Sequence, residues 1–346
     1  MKASVLLIGN FLSSSVGTRF YCEDLADRLR LGTWKVLTSS NKQNRPLRLI
    51  DMILTAYLKR KEYSVAHVDV YSGAAFLWAD VVCRVLKFIG KPYILTLHGG
   101  NLPSFGNHWR KRVIGLFASA VKVTTPSPYL FETMRVFRAD LYLLPNAIEL
   151  PSYSFRLREK AHPQLIWLRS FHSIYNPCLG AKAVSILKKE FPDIHLTMIG
   201  HDRGDGTWQT LQELVSELQI ENQISFCRGV PKGQVSHCMS KGDIFINTSD
   251  IDNTPITILE AMACGLCVVS TNVGGIPHLL KHEHDASLVR PDDAAAMASA
   301  IRRILTETGL AKELSRNGRK RVEEFDWSII FPQWDKLLRS ASTSIN

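Results

Sequence analysis

At 346 residues the chain is too long for a single hydrophobic core, and two domains are the natural expectation. With 45% apolar and 21% charged residues it has the composition of a globular protein, and no apolar run reaches the roughly 18 residues of a membrane span. The apolar run 3–8 is preceded by Met1 and one basic residue, Lys2, so no secretory signal is expected. Seven cysteines, an odd number, argue against a disulfide framework and favour a reducing cytoplasm.

The excess of positive charge is confined to the first half of the chain. Residues 1–150 contain 20 Lys and Arg against 10 Asp and Glu, whereas the remaining residues contain 22 of each. The basic residues are densest at 42–48, 59–61 and 110–112. Such clusters are usually solvated faces, but a one-sided basic half also attracts anionic surfaces. We therefore expect a cytoplasmic protein that can attach peripherally to the inner face of the cytoplasmic membrane, and no nucleic-acid partner.

Apolar, strand-like runs alternate with helical patterns along the whole chain. In the first half the predicted strands are 3–10, 34–37, 65–70, 93–97, 121–124 and 141–144, and the helical patterns are 19–31, 47–59, 74–88 and 109–120. In the second half the predicted strands are 165–168, 195–199, 224–227, 244–247, 268–270 and 287–289. This alternation predicts two α/β domains, each with a doubly wound parallel sheet. Residues 145–163, with three prolines, are the predicted linker.

One stretch, residues 243–277, combines a strand, a polar loop, a short helix and a second strand. Pro255 is predicted at the first helical position, with Asn253 or Thr254 as the N-cap. Because ligands of open α/β sheets bind at the carboxyl ends of strands, the start of this helix predicts an anion site, most simply for a phosphate. Glu260 in the helix either accepts hydrogen bonds from ligand hydroxyls or caps a local backbone N–H.

The same stretch resembles the signature of family 4 glycosyltransferases (glycosyl transferases group 1), which are retaining enzymes with the GT-B fold. The family pattern is a Glu, seven residues, a second Glu, Ala-Met-Ala-x-Gly, an apolar strand and Gly-Gly-x-Pro. The matching positions are Glu260, Ala261, Met262, Ala263, Gly265, Gly274, Gly275 and Pro277. Asp252 stands in place of the first Glu, and Asn253 in place of the usual glycine.

The resemblance implies two Rossmann-like domains that face a cleft. Residues 1–150 would form the acceptor-side domain and residues 151–325 the domain that binds the nucleotide sugar. A C-terminal helix near 326–340 would cross back to the first domain.

The resemblance also implies roles for residues of the donor site. Glu260 would hold the ribose hydroxyls, and Asp252 the donor sugar. The diphosphate would lie on Arg169, the Gly17 loop and the backbone amides near Asn253, Thr254, Pro255 and Ile256. For Asp252 the alternative is a residue that caps the helix or faces water, and for the Gly17 loop it is an ordinary tight turn.

His98 follows the predicted strand 93–97 and precedes two glycines. A lone His is usually structural, but this position at the end of a parallel strand suits contact with a ligand. The family carries a comparable His that touches the donor sugar or the acceptor. The glycine-rich segment 200–206 follows another strand, and either borders the nucleotide base or is a surface turn.

The family pattern at Arg169 is Gly-Arg followed by Lys-Gly, with both cations gripping the diphosphate. Here Leu168 replaces the glycine and the lysine is missing. Asn176 stands near its place, and Lys182 is out of register. The loss of one charge-assisted contact weakens binding by roughly 1.5–3 kcal/mol unless another group replaces it.

The expected function is transfer of a sugar, with retention, from a nucleotide-diphosphate sugar to the hydroxyl of a glycan or lipid-linked acceptor in polysaccharide, lipopolysaccharide or glycolipid assembly. No cofactor or metal is expected: there is no Asp-x-Asp cluster, and the CxxC of Cys264 and Cys267 has no partner at zinc spacing. The alternatives are another GT-B enzyme, such as a nucleotide-sugar epimerase or a glycogen-type synthase, and a degenerate, non-catalytic scaffold.

Overall fold

A computed structural model describes residues 3–13 and 20–343 of the chain. The chain divides into two compact units: the first comprises Met1–Asn146 and Ser328–Asn346, and the second comprises Ala147–Trp327. Each unit is built on one six-stranded sheet with helices packed against it. The expected fold class, two α/β units with parallel sheets, is therefore confirmed.

The sheet of the first unit has the strand order β2-β1-β3-β4-β5-β6, and all neighbouring strands are parallel. Its central strands are fully buried, as expected of a parallel sheet covered on both faces. The strands are β1 (Ser4–Ile8), β2 (Lys35–Ser39), β3 (Val65–Val70), β4 (Tyr93–Leu97), β5 (Lys122–Thr125) and β6 (Tyr142–Leu143).

Helices follow the strands of the first unit in alternation. They are α1 (Tyr21–Leu31), α2 (Arg45–Leu58), α3 (Ala74–Phe88), α4 (Leu102–His108), α5 (Arg110–Ser119) and α6 (Pro128–Met134). The C-terminal helix of the chain also belongs to this unit. Trp334 of that helix is buried, and its ring meets the ring of His67 edge-on at 5.2 Å.

The sheet of the second unit has the order β12-β11-β10-β7-β8-β9 and is again wholly parallel. Its strands are β7 (Gln164–Leu168), β8 (His195–Ile199), β9 (Ile224–Cys227), β10 (Ile244–Asn247), β11 (Cys267–Thr271) and β12 (Ser287–Val289). The remaining helices are α7 (Pro177–Leu187), α8 (Thr207–Glu217), α9 (Lys232–Ser240), α10 (Ile256–Ala263), α11 (Ile276–Leu279), α12 (Ala294–Thr306), α13 (Leu310–Glu323) and α14 (Trp327–Ser342), of which α14 is the C-terminal helix.

Each sheet has a switch point, where strands distant in the chain lie side by side. In the first unit these strands are β1 and β3, and in the second they are β7 and β10. In open α/β sheets ligands bind beyond the carboxyl ends of the strands at such a point. The strand order therefore directs attention to the loops after these four strands.

All the predicted strands are present, with ends that differ by at most two residues from the prediction. The segment predicted as a linker is more ordered than expected, because Ile148, Leu150 and Tyr153 pack into a core of the second unit. Within residues 3–13 and 20–343, no helix is both long and apolar enough to cross a membrane.

Candidate active site

Two charged residues meet at the switch point of the second unit. Arg169 directly follows β7, and Asp252 lies in the loop after β10. The Nη2 of Arg169 donates a hydrogen bond to Oδ2 of Asp252. Both residues were candidates from the sequence, which gave them different ligands. The structure instead brings them together as an ion pair.

The guanidinium of Arg169 is largely enclosed. Its central carbon lies 4.8 Å from the centre of the Tyr175 ring, and the side chain is 16% exposed. Burial lowers the pKa of Arg169, an effect opposed by the Tyr175 phenolate, which forms only at high pH, and by the Glu260 carboxylate, and the group remains cationic. Its Nε is buried and has no hydrogen-bond partner within the described residues. The guanidinium thus retains an unused donor.

Asp252 forms hydrogen bonds within its own loop as well as with Arg169. Its Oδ2 also accepts a hydrogen bond from the Ser249 hydroxyl at 3.1 Å, and its Oδ1 accepts one from the backbone N–H of Asn253 at 2.9 Å. The side chain is 11% exposed. Asp252 is therefore neither a cap of α10 nor a residue that faces water.

The two glycines of the Gly-Gly-x-Pro motif pack closely against the backbone of this loop. A Cβ on Gly274 would lie 2.1 Å from the carbonyl oxygen of Asp252, and one on Gly275 would lie 2.0 Å from that of Asn253. The Gly275 N–H also donates to the Asp252 carbonyl at 3.1 Å. A side chain at either position would push the loop away, so the motif serves the geometry of Asp252 and Asn253.

The helix α10 begins one residue later than predicted. Pro255 has an extended backbone and is the N-cap, and no side chain caps the helix. The expectations of Pro255 at the first helical position and of Asn253 or Thr254 as N-cap are wrong, because the extended ψ of 111° at Pro255 delays the first turn. The Oδ1 of Asn253 is instead buried without a partner among the described residues.

This start of α10 determines which backbone amides can meet a ligand. Pro255 has no N–H, and the N–H of Asn253 already donates to Asp252. The N–H groups of Ile256 and Thr257 point out of the helix, since the first turn has no acceptors for them. The hydroxyl oxygen of Thr257 is buried and has no partner within the described part of the chain. Of the residues whose amides were expected near the diphosphate, Thr254 and Ile256 thus remain candidates. Thr257 is a further candidate that was not expected.

Glu260 lies in the first turns of α10 and is only 5% exposed. One of its partners is the Tyr153 hydroxyl, which donates to Oε1 at 2.8 Å. Its charge acts on Arg169, so the two groups share one electrostatic environment. Sequence reasoning missed Tyr153, because the pair joins residues 107 positions apart.

Asn176 stands where the family carries a lysine, and it is a helix cap. It adopts a left-handed conformation, and its Oδ1 accepts the N–H of Leu179 at 3.3 Å at the start of α7. Its Nδ2 donates to Oδ1 of Asp250 at 3.4 Å. Lys182, the out-of-register alternative, is exposed on α7. Neither residue supplies the missing cation beside Arg169.

The glycine-rich segment after β8 begins as a close backbone contact. A Cβ on Gly200 would lie 1.7 Å from the carbonyl oxygen of Arg169, so only glycine fits there. The carbonyl of His201 accepts the Phe171 N–H at 2.9 Å. By contrast, Gly204 and Gly206 face open space. The first part of the segment therefore fixes the backbone of Arg169, and residues 202–206 are exposed.

His98, the candidate of the first unit, follows β4. Its Nε2 lies 3.0 Å from Oδ1 of Asp69, and its ring stacks on Tyr71 at 5.2 Å. Burial opposes ionisation of Asp69, but the charge and hydrogen bond of His98 prevail and lower the pKa of that carboxyl. Sequence reasoning missed Asp69 and Tyr71. The signal was available, since β3 carries His67 and Asp69 at alternate positions of a buried apolar strand.

A cavity of about 290 Å³ opens at the switch point of the first unit. Asp69 and Tyr71 line it at the end of β3, and Asn10 lines it just beyond the end of β1. Arg48, which also lines it, donates from Nη1 to Oδ1 of Asn10 at 3.2 Å. Trp78 of α3 completes a wall that is both cationic and aromatic. Such a wall suits a polar, anionic or sugar-like ligand.

Two further expectations concern the Gly17 loop and metal binding. Gly17 lies outside the described residues. Among the residues that are described, no group of three or more His, Cys, Asp or Glu side chains is placed to hold a metal ion. Cys264 and Cys267 are fully buried core residues.

Comparison with known proteins gives matches over most of the chain. Over 285 residues it is 26% identical to an undecaprenol-diphosphate-linked glycan α-1,4-N-acetyl-D-galactosaminyltransferase of Campylobacter jejuni, covering 81% of this chain and 77% of the relative. Over 301 residues it is 28% identical to the N-acetyl-α-D-glucosaminyl L-malate synthase of Bacillus anthracis, covering 81% and 75%. An Anabaena protein (HepE) crystallised with UDP-glucose superposes with a TM-score of 0.77 at 16% identity, covering 97% of this chain and 99% of that one.

The structural likeness over nearly the whole chain confirms the expected GT-B fold. Residues 158–321 match the family described as glycosyl transferases group 1. The match begins and ends inside the second unit and includes Arg169, Asp252 and Glu260. The similarity to glycosyl transferases group 1 therefore lies in the second unit, which holds all three of these site residues.

Proposed function

We propose that this protein transfers a sugar from a nucleotide-diphosphate sugar to an acceptor hydroxyl, with retention of the anomeric configuration, in the assembly of a polysaccharide, lipopolysaccharide or glycolipid. The observation that carries the proposal is a set of buried polar atoms without partners among the described residues. They are Nε of Arg169, Oδ1 of Asn253 and Oγ1 of Thr257. Buried polar atoms are nearly always paired in folded proteins, so three around one switch point indicate a site made for a ligand.

The diphosphate of the donor binds to Arg169 and to the start of α10. Arg169 has a free Nε donor and is held by contacts to Asp252 and Tyr175. The N–H groups of Ile256 and Thr257 and the helix dipole favour negative charge at the same place. These are the groups that would stabilise charge developing on the leaving diphosphate.

Asp252 orients the donor sugar in this proposal. As its Oδ2 is paired with Arg169, diphosphate binding must first compete for that guanidinium. Arg169 then turns towards the phosphates, and Asp252 gains an acceptor for a sugar hydroxyl. The shorter Asp in place of Glu is supported by the packing of Asp252 and Asn253 against Gly274 and Gly275.

Glu260 accepts hydrogen bonds from the ribose hydroxyls. The Tyr153 hydroxyl on Oε1 fixes the carboxylate, and Arg169 interacts with it electrostatically. A carboxylate held in this way is pre-organised to bind vicinal hydroxyls. The segment after Gly200 borders the base.

The first unit takes the acceptor. His98 is held by Asp69 at 3.0 Å and can accept or donate a proton at a hydroxyl. The adjoining cavity, with Arg48 and Trp78 in its wall, offers contacts for a sugar ring or an anionic group. In the name of the Campylobacter relative the acceptor is linked to undecaprenol through a diphosphate, which supports a lipid-linked glycan acceptor here.

The nucleotide is proposed to be uridine diphosphate, since the similar Anabaena protein was crystallised with UDP-glucose. No divalent metal is required in this proposal, because Arg169 and the start of α10 supply the positive potential.

The test is a melting-temperature screen of the full chain against a panel of nucleotide sugars, with and without EDTA. A stabilising donor is then incubated with candidate acceptors, and the anomeric configuration of the product is read by NMR. The proposal requires a stabilising nucleotide sugar whose effect Glu260→Gln reduces, and a retained product.

Three other outcomes would contradict it. Formation of an epimeric nucleotide sugar without transfer indicates an epimerase. A product of inverted configuration excludes retention. Failure of every nucleotide sugar to stabilise the protein favours the non-catalytic scaffold, for which the cap at Asn176 in place of a lysine is the structural argument.

A further inference from the structure

The helix α2 carries an apolar stripe that nothing in the described chain covers. Leu47, Ile50, Leu54 and Leu58 are exposed to 56%, 51%, 49% and 66%. At 100° per residue these four positions fall within an arc of about 80° on the helix surface. Tyr57, also exposed, borders the arc. The stripe is therefore continuous along about three turns of the helix.

The stripe is not the face that packs on the sheet. Met52 and Ala56 of the same helix are buried in the core of the first unit and lie on the opposite side of the helix. Helix α2 is thus apolar on two faces, whereas an ordinary surface helix is apolar on one. A row of exposed leucine and isoleucine side chains of this kind usually marks an interaction surface.

Basic residues flank the stripe at both ends. Residues 42–61 contain six Lys and Arg against one Asp. Lys42 and Arg45 are exposed at the start of α2, and Lys59 and Lys61 are exposed just beyond its end. Asp51, the acid within this range, accepts a hydrogen bond from the Ser39 hydroxyl at 3.1 Å, and Glu62, just beyond it, lies 3.5 Å from Nζ of Lys59.

The cations at the start of α2 do not serve the helix itself. The N terminus of a helix carries partial positive charge, so Lys42 and Arg45 destabilise this end. The first turn contains no acidic residue to balance them. Their position is explained if an anionic partner lies against this end of the helix.

We propose that α2 docks the protein on an anionic lipid bilayer. The helix lies parallel to the membrane surface, the stripe enters the boundary between headgroups and acyl chains, and the basic ends contact lipid phosphates. A second copy of the chain is a poorer partner. Because both ends of α2 are basic, parallel and antiparallel pairing of two stripes would each bring like charges together.

Docking through α2 would also place the cavity of the first unit near the lipid. Arg45, Arg48 and Met52 of α2 line that cavity from the side of the helix away from the stripe, so one helix diameter, roughly 10 Å, separates the cavity from the bilayer. The glycan of a lipid-linked acceptor could then reach the cavity while its lipid stays in the membrane. The docking itself does not depend on the proposed sugar transfer and is tested without donor or acceptor.

The experiment is co-sedimentation of the full chain with vesicles of phosphatidylglycerol and phosphatidylethanolamine, and with vesicles of phosphatidylcholine alone. The variant Ile50→Gln/Leu54→Gln/Leu58→Gln replaces exposed side chains with a good helix former. We expect it to reduce binding to the anionic vesicles by about tenfold or more. The matched control is Ile186→Gln/Ile329→Gln, which removes exposed isoleucines outside α2 (45% and 49% exposed) and should bind like the wild type.

A second pair of variants tests the charges. Lys42→Gln/Lys59→Gln/Lys61→Gln should also weaken binding to anionic vesicles, and wild-type binding should fade at high salt. The control Lys182→Gln/Lys189→Gln/Lys241→Gln changes three exposed lysines of the second unit and should have little effect.

Several results would overturn the proposal. They are equal binding to phosphatidylcholine, no binding to either vesicle, or full binding by the α2 variants with an unchanged circular dichroism spectrum. A wild-type dimer in light scattering that the stripe variant abolishes would assign the stripe to a second copy of the chain instead. Loss of donor binding with vesicle binding retained would contradict the proposed function and leave the docking intact.

Discussion

Two arginine–aspartate pairs join the same two strands of the second unit, one at each edge of the sheet. Arg158 and Asp243 pair at the edge where β7 and β10 begin. Arg169 and Asp252 pair at the edge where these strands have ended. The residue types are the same, but the surroundings of the two guanidinium groups differ.

Arg158 has a partner for every nitrogen of its guanidinium. Its Nε donates to Oδ1 of Asp243 at 3.1 Å, its Nη2 to the Gly242 carbonyl at 2.7 Å, and its Nη1 to the carbonyls of Arg156 and Cys264. The side chain is fully buried. This pair ties the segment before β7 to the end of α10, and its role is structural.

Arg169 has fewer partners than Arg158, although only 16% of its side chain is exposed. Its Nε is buried without a partner in the described chain, and its main polar contact is Asp252. Both sites contain an ion pair, so the ion pair alone does not distinguish them. The structural pair has all its hydrogen bonds made within the protein, whereas the candidate binding pair has a donor left for a ligand.

The largest effect is expected at the structural pair. Arg158→Met should lower the free energy of unfolding by about 3–5 kcal/mol, because three backbone carbonyls lose a donor and the buried Asp243 keeps only the half-exposed Arg156 as a cation. Urea unfolding followed by circular dichroism measures this change. The double variant Arg158→Met/Asp243→Asn should recover part of the loss, since no buried charge then remains. A change below about 1 kcal/mol in the single variant would remove the structural assignment.

The next effect concerns ligand binding at the other pair. Arg169→Lys should weaken donor binding by about 1.5–3 kcal/mol, almost as much as Arg169→Ala, because a point charge does not reproduce the guanidinium fork. Titration calorimetry with the stabilising nucleotide sugar measures the dissociation constant. The unfolding free energy of Arg169→Lys serves as the control and should change by less than that of Arg158→Met. Wild-type affinity in the lysine variant would contradict a role for Arg169 at the diphosphate.

Asp252→Asn should affect turnover more than affinity. We expect kcat to fall by about tenfold or more, or ~1.4 kcal/mol, while the nucleotide is still held by Glu260 and Arg169. Steady-state kinetics and calorimetry on the same preparation separate the two quantities. An unchanged kcat would exclude Asp252 from the reaction and leave it as a support of Arg169.

The smallest effect is expected at Asn176. Asn176→Lys introduces the cation that the family carries, yet it should not improve donor affinity, because Asn176 is a left-handed helix cap bonded to Asp250. It should lower the unfolding free energy by about 1 kcal/mol. Asn176→Asp, which preserves the cap, is the control. A clear gain in donor affinity in the lysine variant would show that the site still accepts the missing cation.

The strands were predictable because each is a short apolar run bounded by polar residues. Fully buried strands such as β3 and β4 therefore had the correct ends. The start of α10 was missed by one residue, since a proline fits both the N-cap and the first helical position. Local patterns decide features of this kind, and they leave only small errors.

The partnerships in the site were not predictable in the same way. The contact of Arg169 with Asp252 spans 83 residues, and that of Tyr153 with Glu260 spans 107. No local periodicity encodes such contacts, because they depend on which strands become neighbours in the sheet. The resemblance named Arg169, Asp252 and Glu260 as candidates, but it could not show that two of them pair with each other.

The location of α14 affects how the protein can be made and divided. The chain leaves the first unit after Asn146 and returns to it at Ser328, so the coding sequence of the second unit interrupts that of the first. Asp335 of α14 accepts the Trp34 indole N–H at 2.7 Å, and Trp334 packs beside His67. During synthesis the core of the first unit therefore remains incomplete until the residues of α14 have left the ribosome. A gene fragment that ends at residue 146 encodes a first unit that lacks α14, whereas residues 147–327 form one uninterrupted unit.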